Sequence, residues 1–342
     1  MNQAFARKFA ISAFSAAALL FSGMSATTAQ AQQAMTKVNY QEPTRALFYA
    51  PSYVAMNKNF FKEAGLDVSF QTAAGGDKIM AALLTGGVDI ALLGPEYPLY
   101  IWHGQSPLKI KIVSGLAAAD GTFLVKRGKG ASFDWADVKG KKILGWRKGS
   151  TPTLFLEEAL RMNKVNPNAD VEVNNNTAIP ARFGAFMAGT GDYAIFFEPD
   201  ASRLEREGVA TIVKSIGETV GQVDYTVFVA SDDYIKKNPQ TVQAWTNSIY
   251  KAQRWIDKAS VEEIADAIAS FFPGIERQDL VSSVKRYREK GLWKKDPLVK
   301  PEAITKLEEI LIAGETLKSD QRVKYENVVA PQFANEAIKA AQ

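Results

Sequence analysis

The segment GGVDIALLGPE, residues 86–96, has a counterpart further along the chain in GTGDYAIFFEP, residues 189–199. Each segment begins with glycines that end a helical pattern, passes through an aspartate into an apolar run, and finishes with a carboxylate, Glu96 or Glu198. Short, continuously apolar runs are typical of buried strands in parallel sheets. The pair therefore predicts one structural unit that occurs twice.

The first copy of this unit covers residues 38–96. The apolar run 46–49 predicts a strand, and Ser52, in the helix start that follows it, is a candidate ligand-binding residue. Gly65 ends that helix, and residues 66–70 alternate as a strand does. Asp77 is then positioned to cap a second helix.

The second copy covers residues 139–200 and repeats the order of elements. A predicted strand at 142–146 leads into a helix with Thr151 as its N-cap and Pro152 at its first position. Residues 169–173 predict the next strand. The two copies therefore share a β-α-β-α-β pattern.

Such units form mostly parallel sheets flanked by helices, and ligands bind beyond the carboxyl ends of their strands. We expect an α/β protein of two lobes with a binding cleft between them. Residues 34–118 plus 227–342 are predicted to form lobe I, and residues 119–226 lobe II. Residues 110–125 and 216–230 are the stretches that could cross between the lobes.

The first 31 residues have the features of a signal peptide. Arg7 and Lys8 form a basic start, residues 9–21 are mostly apolar, and an Ala-Gln-Ala pattern predicts cleavage near Ala31–Gln32. No cysteine is available for a lipid anchor. We expect a free periplasmic protein.

Composition excludes several classes of function. Without residues 1–31 the formal net charge falls from +4 to +2. A charge this close to zero does not indicate a basic surface for binding nucleic acid. The chain has no cysteine and a single histidine, His103. A Ser-His-Asp triad and a histidine-rich metal site are therefore not expected, and neither is a cofactor.

Candidate ligand-binding residues lie at the predicted strand ends. Ser150 and Thr151, with the free amides of their helix, could bind an anion or a carbonyl oxygen, although simple helix capping explains them equally well. Arg147 could clamp a carboxylate, sulfonate or phosphate, or could belong to a solvated basic loop. The aromatic candidates, for which rim packing is the alternative to stacking on a ligand, are Tyr49, Tyr97, Trp146 and Tyr225.

Carboxylates form the third set of candidates. Glu96 and Glu198 end equivalent strands, and Asp120 lies near a predicted crossing. They could accept hydrogen bonds from ligand N–H groups, or they could bond backbone amides and cap the next helix. Buried carboxylates repel anions, so they favour a nitrogen-bearing, aromatic solute, whereas Arg147 favours an anion.

Several motifs resemble those of a known family. AALLTGGVDIA (residues 81–91), Tyr49-Ala50-Pro51, the 149–152 helix start and Asn238-Pro239 with Trp245 are similar to type II periplasmic binding proteins, in particular those for nitrate, taurine, sulfonates and thiamine-pyrimidine precursors. The resemblance implies a monomeric clamp that delivers a small solute to the inner-membrane permease of an ABC importer.

The resemblance leaves two alternatives to a binder of a pyrimidine-like solute. One is a binder of sulfonate, taurine or nitrate. The other is an enzyme, because one branch of the family synthesises the thiamine pyrimidine with a histidine, an iron site and a cysteine-rich motif. The absence of cysteine and the single His103 argue against the enzyme.

Overall fold

The fold consists of two five-stranded sheets with flanking helices. A computed structural model describes residues 34–130 and 132–342, so the predicted signal peptide lies outside the described residues. The first sheet contains β1 (Thr36–Glu42), β2 (Leu66–Thr72), β3 (Ile90–Leu93), β4 (Ile110–Ala117) and β10 (Thr226–Ser231). The second sheet contains β5 (Phe123–Arg127), β6 (Lys142–Leu144), β7 (Glu172–Asn174), β8 (Tyr193–Phe196) and β9 (Ala210–Ser215).

The two sheets have the same topology. Their strand orders are β2-β1-β3-β10-β4 and β7-β6-β8-β5-β9. In each sheet, four strands run in one direction and the fourth strand in the order, β10 or β5, is antiparallel to both neighbours. This is the mostly parallel α/β arrangement that the duplicated pattern predicts.

The repeated aspartates make the same contact in both copies. The Asp89 carboxylate accepts a hydrogen bond from the backbone N–H of Asn39 at 2.8 Å, just before β3. The Asp192 carboxylate accepts one from the backbone N–H of Lys142 at 2.9 Å, just before β8. Each aspartate therefore anchors the start of a central strand to its parallel neighbour.

The first strand was misplaced by the sequence analysis. The strand is β1, whereas the apolar run predicted as a strand forms a 3-10 helix, Leu47–Tyr49, in which the Tyr49 N–H bonds the Ala46 carbonyl at 3.0 Å. Side chains of β1 are alternately buried and exposed, and the exposed ones are polar, so the segment does not stand out as an apolar run. The run at 46–49 is apolar because it packs beneath the cleft and is buried.

Helices cover both faces of the sheets and form most of the chain beyond β10. Helix α5 begins at Thr151 with Ser150 as its N-cap, one residue earlier than predicted. The helices before β10 are α1 (Ala50–Asn57), α2 (Phe60–Glu63), α3 (Gly76–Leu84), α4 (Glu96–His103), α5 (Thr151–Met162), α6 (Arg182–Met187), α7 (Asp200–Arg206) and α8 (Ile216–Val220). Those after it are α9 (Asp232–Lys237), α10 (Pro239–Lys258), α11 (Val261–Ile268), α12 (Arg277–Glu289), α13 (Pro301–Ala313), α14 (Tyr325–Val328) and α15 (Gln332–Ala340).

None of these helices, within the described residues, is long and apolar enough to span a bilayer.

Two crossing segments connect the sheets and run side by side. The first, 118–122, joins β4 to β5, and the second returns from β9 through α8 to β10. The Val223 N–H bonds the Ala118 carbonyl at 3.0 Å, and the Ile216 N–H bonds the Thr122 carbonyl at 3.1 Å. The chain passes from the first sheet to the second along one segment and returns along the other. The lobe boundaries proposed from the sequence stay a prediction.

Candidate functional site

A cavity of about 440 Å³ lies between the two sheets, at the carboxyl ends of the parallel strands. It is lined mainly by apolar and aromatic groups. Eight of the eleven residues proposed from the sequence line it: Tyr49, Glu96, Tyr97, Trp146, Arg147, Ser150, Thr151 and Tyr225. The geometry therefore brings most of the candidates together around one volume.

Two polar contacts cross the mouth of this cavity. The Tyr100 hydroxyl, from α4, donates to the Gly149 carbonyl at 2.9 Å. The Arg147 guanidinium, beyond β6, pairs with the carboxylate of Asp77 in the first turn of α3. The sequence predicts that Asp77 caps its own helix, but its carboxylate faces across the cleft. It neutralises Arg147, which we proposed as an anion clamp.

Seven aromatic rings line the cavity. Phe48 from the 3-10 helix stacks on Phe197, which follows β8, with ring centroids 4.4 Å apart. Trp146 meets Phe197 edge to face at 5.2 Å. Offset and edge-to-face pairs hold rings rigidly and leave flat apolar surfaces. The seven rings are Phe48, Tyr49, Tyr97, Tyr100, Trp146, Phe197 and Tyr225.

Glu96, the first residue of α4, is fully buried at the base of the cleft. One carboxylate oxygen accepts hydrogen bonds from the Thr151 backbone N–H at 3.0 Å and the Thr151 hydroxyl at 2.8 Å, and the hydroxyl is also 2.8 Å from the other oxygen. Burial raises the pKa of Glu96 to about 7, against the lowering effect of these bonds. The proposed anion site at the start of α5 therefore already contains a carboxylate.

An arginine that the sequence analysis did not identify supports the opposite wall. Arg182, at the start of α6, is 2% exposed and donates to the strand-end carbonyls of Gly145 and, at 2.8 Å, Ile195. Its guanidinium lies 4.6 Å from the centre of the Trp146 ring. Burial lowers the pKa of Arg182 to about 9. The arginine ties β6 to β8 and fixes the indole.

The expectation that Glu198 lines the cleft needs correction. Its carboxylate is 1% exposed and accepts hydrogen bonds from the Ser202 backbone N–H at 3.0 Å and the Ser202 hydroxyl at 2.8 Å, both in α7. Arg286 of α12 lies 3.3 Å away. Burial raises the pKa of Glu198, and Arg286 lowers it. This is the helix-capping alternative that the sequence left open.

Asp120 and Ser52 also lie outside the cavity lining. Asp120 is buried in the first crossing segment, where it accepts the Thr122 backbone N–H at 2.6 Å, and burial raises its pKa to about 7. The Ser52 hydroxyl donates to the Tyr49 carbonyl at 3.1 Å within the first helix turn. Both side chains therefore stabilise the backbone behind the site.

The single histidine and the acidic residues form no metal centre in the described part of the chain. His103 is exposed at the end of α4. No group of three or more histidine, aspartate or glutamate side chains among residues 34–130 and 132–342 has the arrangement of a metal site.

Comparison with known proteins identifies the family of this chain. The NMT1-like family matches residues 30–270, which is more than half of the chain. The chain belongs to the NMT1-like family. The binding protein YtlA of Bacillus subtilis is 41% identical over 268 residues, covering 78% of this chain and 80% of YtlA. The taurine-binding periplasmic protein of Escherichia coli is 29% identical over 228 residues, covering 66% of this chain and 67% of that protein.

The structural comparison assigns the fold. The periplasmic nitrate-binding protein NrtA of Synechocystis superposes with a TM-score of 0.73 at 17% identity, covering 90% of this chain and 89% of NrtA. The fold of this NMT1-like chain is that of the type II periplasmic binding proteins, as the resemblance in its motifs predicted. Enzymes also occur among its distant relatives: a Saccharomyces cerevisiae 4-amino-5-hydroxymethyl-2-methylpyrimidine phosphate synthase, THI11, is 22% identical over 226 residues, 61% of this chain and 63% of that enzyme.

Proposed function

We propose that this chain is the periplasmic solute-binding component of an ABC importer, and that it captures a small, flat, ring-bearing organic solute. The observation that carries the proposal is the cavity of about 440 Å³ with its seven aromatic rings. A cavity of this size suits a molecule of one or two rings. Stacked and edge-on aromatic walls bind flat solutes from both faces.

The polar groups of the site are suited to orienting a bound solute and not to catalysing its reaction. Arg147 is paired with Asp77, and the Glu96 carboxylate bonds Thr151. These polar groups of the lining bond one another, which favours holding a solute in place over reacting with it. We propose a binder that returns its solute unchanged.

The relatives support the rest of the assignment. They include a binding protein and a periplasmic taurine-binding protein, and this relationship favours export and delivery to an inner-membrane permease. A monomeric state and cleavage near Ala31–Gln32 are part of the same proposal. N-terminal sequencing of protein from the periplasmic fraction and its elution volume on a sizing column test location and oligomeric state.

A thermal-shift screen followed by calorimetric titration tests the solute class. We expect aminopyrimidines and other single-ring amines to raise the melting temperature by mass action, with little response to nitrate, taurine or short alkanesulfonates. Chromatography of the recovered solute should show no conversion.

A matched pair of variants connects binding to the cavity. Phe197→Ala removes a ring from the wall and should weaken binding at least about tenfold, whereas Met162→Ala, at an exposed methionine, should not. A response to taurine or nitrate, with no response to any ring compound, would contradict the ring-bearing solute and favour the alternative of a sulfonate, taurine or nitrate binder.

A further inference from the structure

The start of helix α5 is occupied by a side chain of the protein. An α-helix of 12 residues attracts an anion to its N-terminal amides. Here the anion is the Glu96 carboxylate, which reaches from α4, beside the first sheet, to Thr151, beside the second. Any solute anion would have to displace this carboxylate to reach the same amide.

Gly94 makes the close approach possible. A side chain at this position would overlap both the Thr151 hydroxyl and the Glu96 carboxylate, because the place of its Cβ is already taken by their oxygens. The strand end of β3 thus has a glycine at the point where the two halves of the molecule meet. The Glu96–Thr151 contact depends on this combination of three residues.

Among the ion pairs of residues 34–130 and 132–342, none includes Glu96. The two basic residues of the lining are paired elsewhere, Arg147 with Asp77 and Lys148 with Glu157 at 2.6 Å. A second anion beside an uncompensated buried carboxylate is repelled, whereas an ammonium or ring N–H finds a free acceptor lone pair.

We infer that Glu96 determines the charge of the solute: in its ionised form it excludes sulfonates and carboxylates from the start of α5 and selects a neutral or cationic nitrogen donor. The inference rests on the proposed function, because it names the chemical class that the same cavity accepts.

Three probes with the same ring and different charges test the role of Glu96: benzylamine, benzyl alcohol and benzenesulfonate. They are titrated calorimetrically into the mature protein at pH 8, above the raised pKa of Glu96. We expect benzylamine to bind at least about tenfold more tightly than benzyl alcohol, and benzenesulfonate not to bind. In Glu96→Gln the preference for the amine should be lost, and benzenesulfonate should gain measurable affinity.

Glu308→Gln is the matched control, because Glu308 is also a buried glutamate, at 3% exposure, but does not line the cavity. Its variant should keep the wild-type order of the three probes. If wild-type protein binds benzenesulfonate most tightly, the role of Glu96 is overturned while a ring-binding cleft stands. If none of the three, and no ring compound in the wider screen, binds folded wild-type protein, the proposed function falls as well. The wild-type order decides the question even if Glu96→Gln does not fold.

Discussion

The two copies of the duplicated unit end their central strands in different ways. After β3, Glu96 begins α4 and reaches across the cleft to Thr151. After β8, Glu198 turns back and bonds Ser202 of its own following helix, α7. The sequence positions are equivalent, but only the first carboxylate takes part in the cavity.

Helix α12 lies outside the duplication and supplies partners that hold Glu198 on its own side. Arg286 of α12 lies 3.3 Å from Glu198, and the neighbouring Tyr287 hydroxyl accepts the Glu198 backbone N–H at 2.8 Å. Nothing comparable holds Glu96 on its own side within the described residues. A repeated sequence therefore fixes the fold of both copies, whereas the surrounding elements decide which of them contributes to the site.

The largest expected effect concerns Arg182, which ties strand ends only in the second copy. Arg182→Met leaves buried carbonyls of Gly145 and Ile195 unpaired, so we expect the free energy of unfolding to fall by about 4 kcal/mol. Urea denaturation measures this loss. Arg127→Met also removes bonds to carbonyls, but from a half-buried position, and should cost clearly less. Equal losses would contradict the special role of the Arg182 site.

Replacement of Glu198 should affect stability and leave binding intact. Glu198→Ala removes the two bonds to Ser202 and the partner of Arg286, which predicts a loss of about 3 kcal/mol. Urea denaturation and titration with benzylamine on the same preparation separate the two properties. A variant of normal stability that no longer binds would place Glu198 back in the cleft.

The pH dependence of stability should carry a contribution from Glu96. Its pKa is about 7 in the folded chain and about 4.5 when unfolded, so between these values only the folded chain holds the proton, and stability falls as pH rises. From pH 5 to pH 8 this contribution is about 2 kcal/mol. Glu96→Gln should remove this contribution. The free energy of unfolding, measured by urea denaturation at several pH values, should therefore fall more steeply with rising pH in the wild-type protein than in Glu96→Gln. Parallel slopes would show that Glu96 is ionised throughout.

The smallest expected effect isolates one hydroxyl of the cross-cleft contact. Thr151→Val removes the hydroxyl bond to Glu96 but keeps the backbone bond, and should cost about 1 kcal/mol. Thr153→Val is its match on the same helix, since the buried Thr153 hydroxyl has no hydrogen-bond partner among the residues that the structure describes. That variant should be neutral or slightly stabilising in thermal unfolding. A larger loss of stability in Thr153→Val than in Thr151→Val would contradict the contribution assigned to the Thr151 hydroxyl.

The sequence predicted the duplicated fold well because its signals are local. Apolar runs, glycine helix ends and the pair Asp89 and Asp192 all lie within single elements, and both aspartates make the same contact. β1 was missed because a strand with one polar face is less conspicuous than the adjacent apolar run at 46–49. Burial of that run comes from tertiary packing, which periodicity does not encode.

The site was predicted less completely because its contacts join distant parts of the chain. Phe48 and Phe197 are neighbours of the candidates Tyr49 and Glu198 in the sequence. Which of these side chains line the cavity depends on packing between the two halves, which the local sequence does not indicate. Arg182 looked like an ordinary residue at a helix start. Glu96 was identified by position alone, and its partner Thr151 was assigned a separate role, although the two side chains form one contact.

The paired crossing segments restrict how the two halves can move. Backbone hydrogen bonds join them at Val223 with Ala118 and at Ile216 with Thr122, and the Ala118 N–H bonds a third segment at the Leu292 carbonyl at 2.8 Å. These segments are where the chain passes between the sheets, so we expect relative motion of the two halves to be concentrated in them. Separation of the halves would break the Glu96–Thr151 contact, and their return would restore it.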